Sequence, residues 1–319
     1  MRKTFHLCLS SHKEVMYRSE ADLIMGFNCL ALATVETQSR LLAEAFMTTH
    51  YHRLVQTDDY EALQHKDRYA YTRFFNAKYC RRGALGEPRF FFKEIDGAAH
   101  RLVALNYVLR QGLHHGLSAT PFGYKHCSAN SFFRKELGKD YVPETIPQHK
   151  YSSYLPHLKK LPPGYRMTSA GLIVREDVID TAYVEQEYHT PRNFSYQMNL
   201  ISNESIIREQ AEENGTPPVT LESIEEGVSG FDLKTALLSE QGRMDTTHLS
   251  DLDMCHIIDD IYLPRFARSG EGQSIYTLTA SRRADLGNMI LADNRANPTA
   301  FPFNGRMTTP AQLRRCLAL

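Results

Sequence analysis

Apolar positions along the first 140 residues alternate between two spacings. Thr4 to Ser10 alternates strictly and predicts a strand. Glu20 to Ala33 carries apolar residues at helical spacing and predicts a helix. Leu41 to Met47, continuing through His50-Tyr51-His52 into Arg53-Leu54-Val55, is apolar and free of Gly and Pro, and predicts a buried strand. Asp58-Asp59 caps a helix over 59–79, and Pro88 to Ile95 is a further strand. Asp96 caps a helix over 98–111 that Gly112 and Gly116 end.

Strand, helix, strand, helix, strand, helix predicts an α+β fold around an antiparallel sheet, ferredoxin-like or similar to the RNA-recognition motif. Prolines at 143, 147, 156, 162 and 163 mark a linker over 141–165 between a unit at 1–140 and an accessory region at 166–319. That region reads as mainly helical, with stretches at 204–213, 249–263, 279–293 and 309–318. The last three have the size of a helix-turn-helix bundle, and Gln312, Arg314 and Arg315 on the final helix are candidates for a major groove. The other reading is a small bundle that covers the sheet or a partner subunit.

Composition narrows the class. The chain is 42% hydrophobic and 23% charged, and no apolar run reaches the roughly 18 residues that span a bilayer. Six scattered cysteines without a C-x-x-C pair argue against a disulfide framework or a zinc knuckle and fit a cytoplasmic protein. The zero net charge hides an asymmetry. Residues 1–166 hold 24 Lys+Arg against 15 Asp+Glu, and residues 167–319 hold 13 against 22. A basic N-terminal half fits a polyanionic partner, and it also fits an ordinary solvated surface.

Candidate chemistry begins at His50 and His52. Side chains two apart on a strand share a face, so the pair either holds a divalent cation with help from elsewhere or is satisfied by hydrogen bonds. On the helix at 98–111, Leu102, Leu105, Leu109 and Leu113 form one stripe. Tyr107 and Gln111, four apart, share the opposite face. Tyr107 is there either exposed or turned toward another element. His100 reads as solvent-exposed and His114-His115 as a loop pair. Arg73 and Lys78 lie among aromatic residues on the helix at 59–79, a mixture that suits a single strand or a plain amphipathic helix. Arg81, Arg82, Arg89, Lys93 and Arg110 are further candidates for phosphate contacts.

With these residues in place the chain resembles the single-tyrosine transposases of the HUH endonuclease superfamily, which include those of single-strand insertion sequences and the REP-associated tyrosine transposases. His50-Tyr51-His52 matches the family's His-hydrophobic-His, with Met47 three residues before it. Leu105-Asn106-Tyr107 matches the context of its nucleophile, and Gln111 the polar residue four positions on. Arg73 to Tyr79, Gly83-Ala84-Leu85, His115-Gly116-Leu117 and Pro121-Phe122-Gly123-Tyr124 look like its flanking segments. Tyr51, where an aliphatic residue is usual, departs from the pattern, as does the long acidic extension. The resemblance covers about residues 4–135. It implies Tyr107 as nucleophile, Mg²⁺ or Mn²⁺ on His50, His52 and Gln111, and cleavage and rejoining of hairpin-flanked single-stranded DNA. The location it implies is nucleoid-associated, and it leaves room for a homodimer. The alternative is a domesticated protein that binds hairpin repeats and has lost transposition.

Overall fold

The computed structural model describes residues 2–139, 142–155, 161–199, 247–267 and 274–319. Four strands form one antiparallel sheet: β1 (Lys3–Ser10), β2 (Arg40–Phe46), β3 (His50–Thr57) and β4 (Phe91–Ile95), in the order β2-β3-β1-β4. The run expected as a single strand across 41–55 therefore folds back on itself. Fifteen extended residues would run about 50 Å, far longer than a usual strand. The polar pair Thr48-Thr49 makes the turn. The Met47 N–H donates to the His50 carbonyl at 2.8 Å, and the N–H groups of Ser11 and Met16 donate to the Thr49 and Thr48 carbonyls, each at 2.8 Å. The hairpin is thus pinned to the loop that follows β1.

Pairing of β3 with β1 sets Ser10 opposite His50, Cys8 opposite His52 and His6 opposite Leu54. Alternation then sorts the side chains. Leu7, Leu9, Tyr51, Arg53 and Val55 share one face, which α1 (Glu20–Glu36) and α2 (Tyr60–Tyr79) cover. There Tyr51 meets Gln64 of α2, and Arg53 pairs with buried Asp67 at 2.7 Å. Tyr51 therefore serves packing on the side away from the histidines. His6, Cys8, His50, His52 and Leu54 share the other face.

Across that second face lies α3 (Ala98–Leu109). It is followed after Arg110 by one more turn, α4 (Gln111–His114). The expected stop at Gly112 is not where the helical path ends. Gly112 serves close packing instead: a Cβ there would lie 2.3 Å from Cβ of Tyr124, whose hydroxyl donates to the Phe46 carbonyl at 2.6 Å.

The core does not stop at 141–165. Met167, Ile173, Ile179, Val184, Tyr188, Phe194 and Met198 belong to the same buried cluster as the sheet. Arg175 Nε donates to fully buried Glu44 of β2 at 2.6 Å. Asn28 of α1 donates to the Gly171 carbonyl at 2.7 Å and accepts from the Ile173 N–H at 2.9 Å. The stretch expected to be helical at 204–213 lies outside the described residues.

The three closing helices are present. Asp251–His256 runs through a π-helical segment, Ile257–Tyr262, into Leu263–Phe266; Ala280–Ala296 and Pro310–Cys316 follow. They build a second core with Met254, Ile258, Leu286, Ile290 and Leu313, which also takes in Val15. Arg18, fully buried, ties it to α1 by donating to Asp259 at 2.7 and 2.9 Å and to the Cys316 carbonyl. Two residues expected to reach outward are used inward. Gln312 donates to the Leu249 carbonyl at 2.7 Å, and Arg315 pairs with Asp251 at 3.0 Å; Arg314 alone of the three is exposed. Among the described residues no helix is long and apolar enough to cross a membrane.

Candidate functional site: a buried histidine–tyrosine cluster

Strand parity and the β1–β3 register bring His6, His50 and His52 together, and α3 lays Tyr107 over them. The Tyr107 ring stands edge-on to His52 at 5.1 Å and to His6 at 5.6 Å between centroids. His50 and His52 are 5.1 Å apart in a T-shaped arrangement. The α4 turn adds His114, 5.8 Å from Tyr107, and just beyond it His115 stands 4.8 Å from His50. His115 is half-buried; the other side chains are buried, Tyr107 at 2% exposure and His52 and Gln111 at 0%.

Burial dictates the charge state. Desolvation lowers His6 and His114 to about 3 and His115 to about 4, and pushes His50 and His52 well below the usual imidazole range. Neighbouring cations and imidazoles add to the effect in the same direction for His6, His50, His52 and His114. All five are therefore neutral near pH 7, the state in which an imidazole nitrogen offers a lone pair.

The hydrogen bonds leave a particular set of atoms open. His52 Nδ1 lies 3.1 Å from His6 Nε2, and His50 Nδ1 lies 3.0 Å from Thr49 Oγ1. The Gln111 amide donates to the Tyr107 carbonyl at 3.2 Å. His50 Nε2, His52 Nε2 and Gln111 Oε1 are buried and have no hydrogen-bond partner among the described residues. Each such atom costs about 1–3 kcal/mol if left so. Among the described residues no three His, Cys, Asp or Glu side chains are arranged to hold a metal ion by themselves. The open set here is two imidazoles and an amide, and donors of this kind suit a divalent first-row cation.

Sequence reading placed Tyr107 and Gln111 on the face opposite the leucine stripe; that face is turned onto the sheet, and the helix is buried on both sides. It missed His6, and it put His114-His115 in a loop, whereas His114 lies in α4 and both rings border the cluster. His100 is 9% exposed on α3 and not at the surface. For His6 the only signal was its place in the alternating strand, because its proximity to His52 depends on a register that sequence spacing does not give.

The seven candidate phosphate-binding cations divide. Lys78 is held by buried Asp22 at 2.6 Å. Arg81 is held by Glu14 and by the carbonyls of Gly83 and Ala84. Arg110 is buried beside the cluster at 6% exposure. Lys93 is half-buried opposite His6 in the β1–β4 register. Arg73, Arg82 and Arg89 are exposed. Arg81 and Arg82, with Lys13, Glu14, Tyr276 and Arg283, line a cleft of about 460 Å³ between the 80–83 turn and the closing helices.

No protein-family model matches the chain, and no curated protein matches it. Among solved structures the chain is similar to one of a REP-associated tyrosine transposase bound to a REP hairpin, with a TM-score of 0.37 and 11% identity over 45% of this chain and 84% of that chain.

Proposed function

We propose that the chain cleaves and rejoins single-stranded DNA, with Tyr107 as nucleophile and a divalent cation, Mg²⁺ or Mn²⁺, held by His50, His52 and Gln111. The observation that carries this reading is a trio of buried atoms without a partner among the described residues, His50 Nε2, His52 Nε2 and Gln111 Oε1, on elements that bracket a tyrosine. The element order and the strand order β2-β3-β1-β4 support the ferredoxin-like arrangement expected of such an enzyme.

The Tyr107 phenol oxygen attacks phosphorus and gives up its proton. The bond from phosphorus to the 3′ oxygen breaks, and that oxygen leaves as a hydroxyl. A 5′-phosphotyrosine link remains and conserves the ester, so a second 3′-hydroxyl reverses the step and joins strands. When bound, the cation polarises the scissile phosphate. His50 and His52 contribute neutral nitrogens and Gln111 a weak amide oxygen; imidazole favours Mn²⁺ over Mg²⁺. In this reading exposed Arg73, Arg82 and Arg89 meet phosphates along the strand, and Lys93, opposite His6 in the β1–β4 register, meets them on the histidine face.

Tyr107 is 2% exposed, so strand entry has to displace what covers the phenol. That burial favours a second reading, a hairpin-binding protein that does not cleave. One experiment separates the two. The full chain is incubated with Mn²⁺ and end-labelled single-stranded hairpin DNA and resolved under denaturing conditions. A covalent adduct is expected for the wild type and none for Tyr107→Phe or for the double variant His50→Ala/His52→Ala, with hairpin binding by Tyr107→Phe kept within a few-fold. An adduct that persists in Tyr107→Phe removes Tyr107 from the role, and binding without any adduct in the wild type leaves the second reading.

A further inference from the structure

The reading above uses His50 and His52 and leaves His6 unexplained. His6 lies in the middle of β1, fully buried, two residues from Cys8, which faces His52 across the strand pair. Its ring lies parallel to that of His52, 6° between planes and 5.3 Å between centroids, and its Nε2 faces His52 Nδ1 edge to edge at 3.1 Å. Phe91 of β4 closes on one side at 5.6 Å and Tyr107 on another at 5.6 Å. The ring is therefore clamped, and its contact with His52 is set by the β1–β3 register and not by a mobile side chain.

A buried imidazole pair of this kind has one proton to place between its two facing nitrogens. If it sits on His52 Nδ1, His6 Nε2 accepts it and His52 Nε2 is left as a bare lone pair. If it sits on His6 Nε2, the proton of neutral His52 moves to Nε2 and blocks it. The two outer nitrogens, His52 Nε2 and His6 Nδ1, are both buried and without a partner among the described residues, so a cation that takes the lone pair of His52 Nε2 selects the first arrangement. Thr49 stands in the same relation to His50, with Oγ1 3.0 Å from Nδ1. Both histidines of the strand thus have Nδ1 engaged and Nε2 open. Metal-binding imidazoles characteristically donate their second N–H to such a partner, which fixes both tautomer and ring angle.

We propose that His6 is a positioning residue: its Nε2 accepts the His52 Nδ1 proton and so holds His52 in the tautomer that turns the Nε2 lone pair toward a divalent cation. The proposal rests on the cation site read above. It adds a residue from the first strand to a site that otherwise comes from β3, α3 and α4. In edge-on contact with Tyr107 as well, His6 also sets the depth at which the phenol stands over His52.

The test uses the full chain without DNA and two substitutions. His6→Leu keeps apolar bulk and removes the acceptor. His6→Gln carries an amide oxygen to about the position of Nε2. Nitrogen-15 NMR of histidine-labelled, metal-free protein reads the tautomer of His52 directly, and an EPR titration with Mn²⁺ reads affinity. Expected are a lone pair on His52 Nε2 in the wild type, a mixture of tautomers in His6→Leu, and recovery in His6→Gln. Mn²⁺ affinity should fall about 10–100-fold in His6→Leu and recover in large part in His6→Gln. A proton on His52 Nε2 in the wild type, or Mn²⁺ affinity equal in wild type and His6→Leu, overturns the proposal. If the wild type binds no Mn²⁺, the cation site itself is wrong, and the NMR result still decides what His6 does to His52. If His6→Leu does not fold, the wild-type spectrum alone decides, because a proton on His52 Nε2 there overturns the proposal.

Discussion

Packing several neutral imidazoles beneath one helix makes the protein sensitive to acid, and His114 is where the size of the effect is simplest to isolate. It lies in α4 at 2% exposure against Tyr107, and burial, with Arg110 and His115 nearby, lowers it to about 3. In the unfolded chain it titrates near 6.5. A folded-state value below the unfolded one means that the unfolded chain takes the proton first. Stability is then intact above about pH 6.5, falls as pH drops through that value, and stops falling only near pH 3. At pH 5 the unfolded imidazole is more than nine-tenths protonated and the folded one is not, which costs about 2 kcal/mol for this residue. His6 and His115 lose a similar amount by the same reasoning, and His50 and His52 shift in the same direction. The sum is a large part of the 5–15 kcal/mol that holds a typical domain together. Buried Glu44 and Asp67, whose carboxyls are raised by burial, act in the opposite sense, so the whole-protein slope mixes signs. The difference between wild type and His114→Leu removes them. Urea unfolding of both proteins at pH 7.5 and pH 5 should show that difference moving by about 2 kcal/mol in favour of the variant at the lower pH. A difference constant to within about 0.5 kcal/mol would mean that His114 is hydrated or protonated in the folded state, and that the cluster is not the dry, neutral site described.

Two further outcomes follow from charges outside the cluster. Arg82→Glu and Arg283→Glu, on opposite walls of the cationic cleft, should each weaken single-strand binding and lower the salt slope of the affinity by about 0.7 for every phosphate no longer neutralised, read by fluorescence anisotropy between 50 and 200 mM salt; an unchanged slope in both removes the cleft from the DNA path. Arg175→Ala should destabilise the chain by about 3 kcal/mol, because Glu44 at 0% exposure loses the guanidinium that pairs with its buried carboxyl; an unchanged urea midpoint would show that the pair is not needed by the sheet.

Local signals carried the elements of the first 110 residues because each was spelled out in side chains next to one another. Ser19 caps α1 and Asp59 caps α2 through their own oxygens, and the alternation over Thr4–Ser10 is a strand one side chain at a time. The reading failed where two elements looked like one. Leu41 to Val55 is apolar enough to be a single strand, and only Thr48-Thr49, with no Gly, Asn or Pro, marks the hairpin. That turn is stabilised by backbone bonds to residues 11, 16 and 17, partners no local window contains. The failure at Gly112 is of the same kind. A glycine after a helix reads as a stop, yet this one is needed because Tyr124 arrives from twelve residues away and leaves no room for a Cβ.

The site divides along the same line, and the division bears on its chemistry. His50, His52, Tyr107 and Gln111 could be singled out because each pair lies within one element, at a spacing that fixes a shared face. His6, His114 and His115 could not, since what makes them neighbours is the β1–β3 register and the angle at which α3 crosses the sheet. Two of them, His6 and His114, are buried against Tyr107 and help keep the site dry, and their own neutrality depends on that burial. The cations behave likewise. Spacing alone put Lys78, Arg81 and Arg110 beside Arg82 and Arg89 as equals, but Asp22 and Glu14 hold the first two, and the third is buried where α3 meets α4. A charge becomes available to a phosphate only where the fold supplies it no carboxylate or cover of its own. Under the proposed function that condition selects Arg73, Arg82 and Arg89 from the seven, which lie on α2 and in the segment after it and not among the histidines, so a strand held by them would have to turn inward to reach Tyr107.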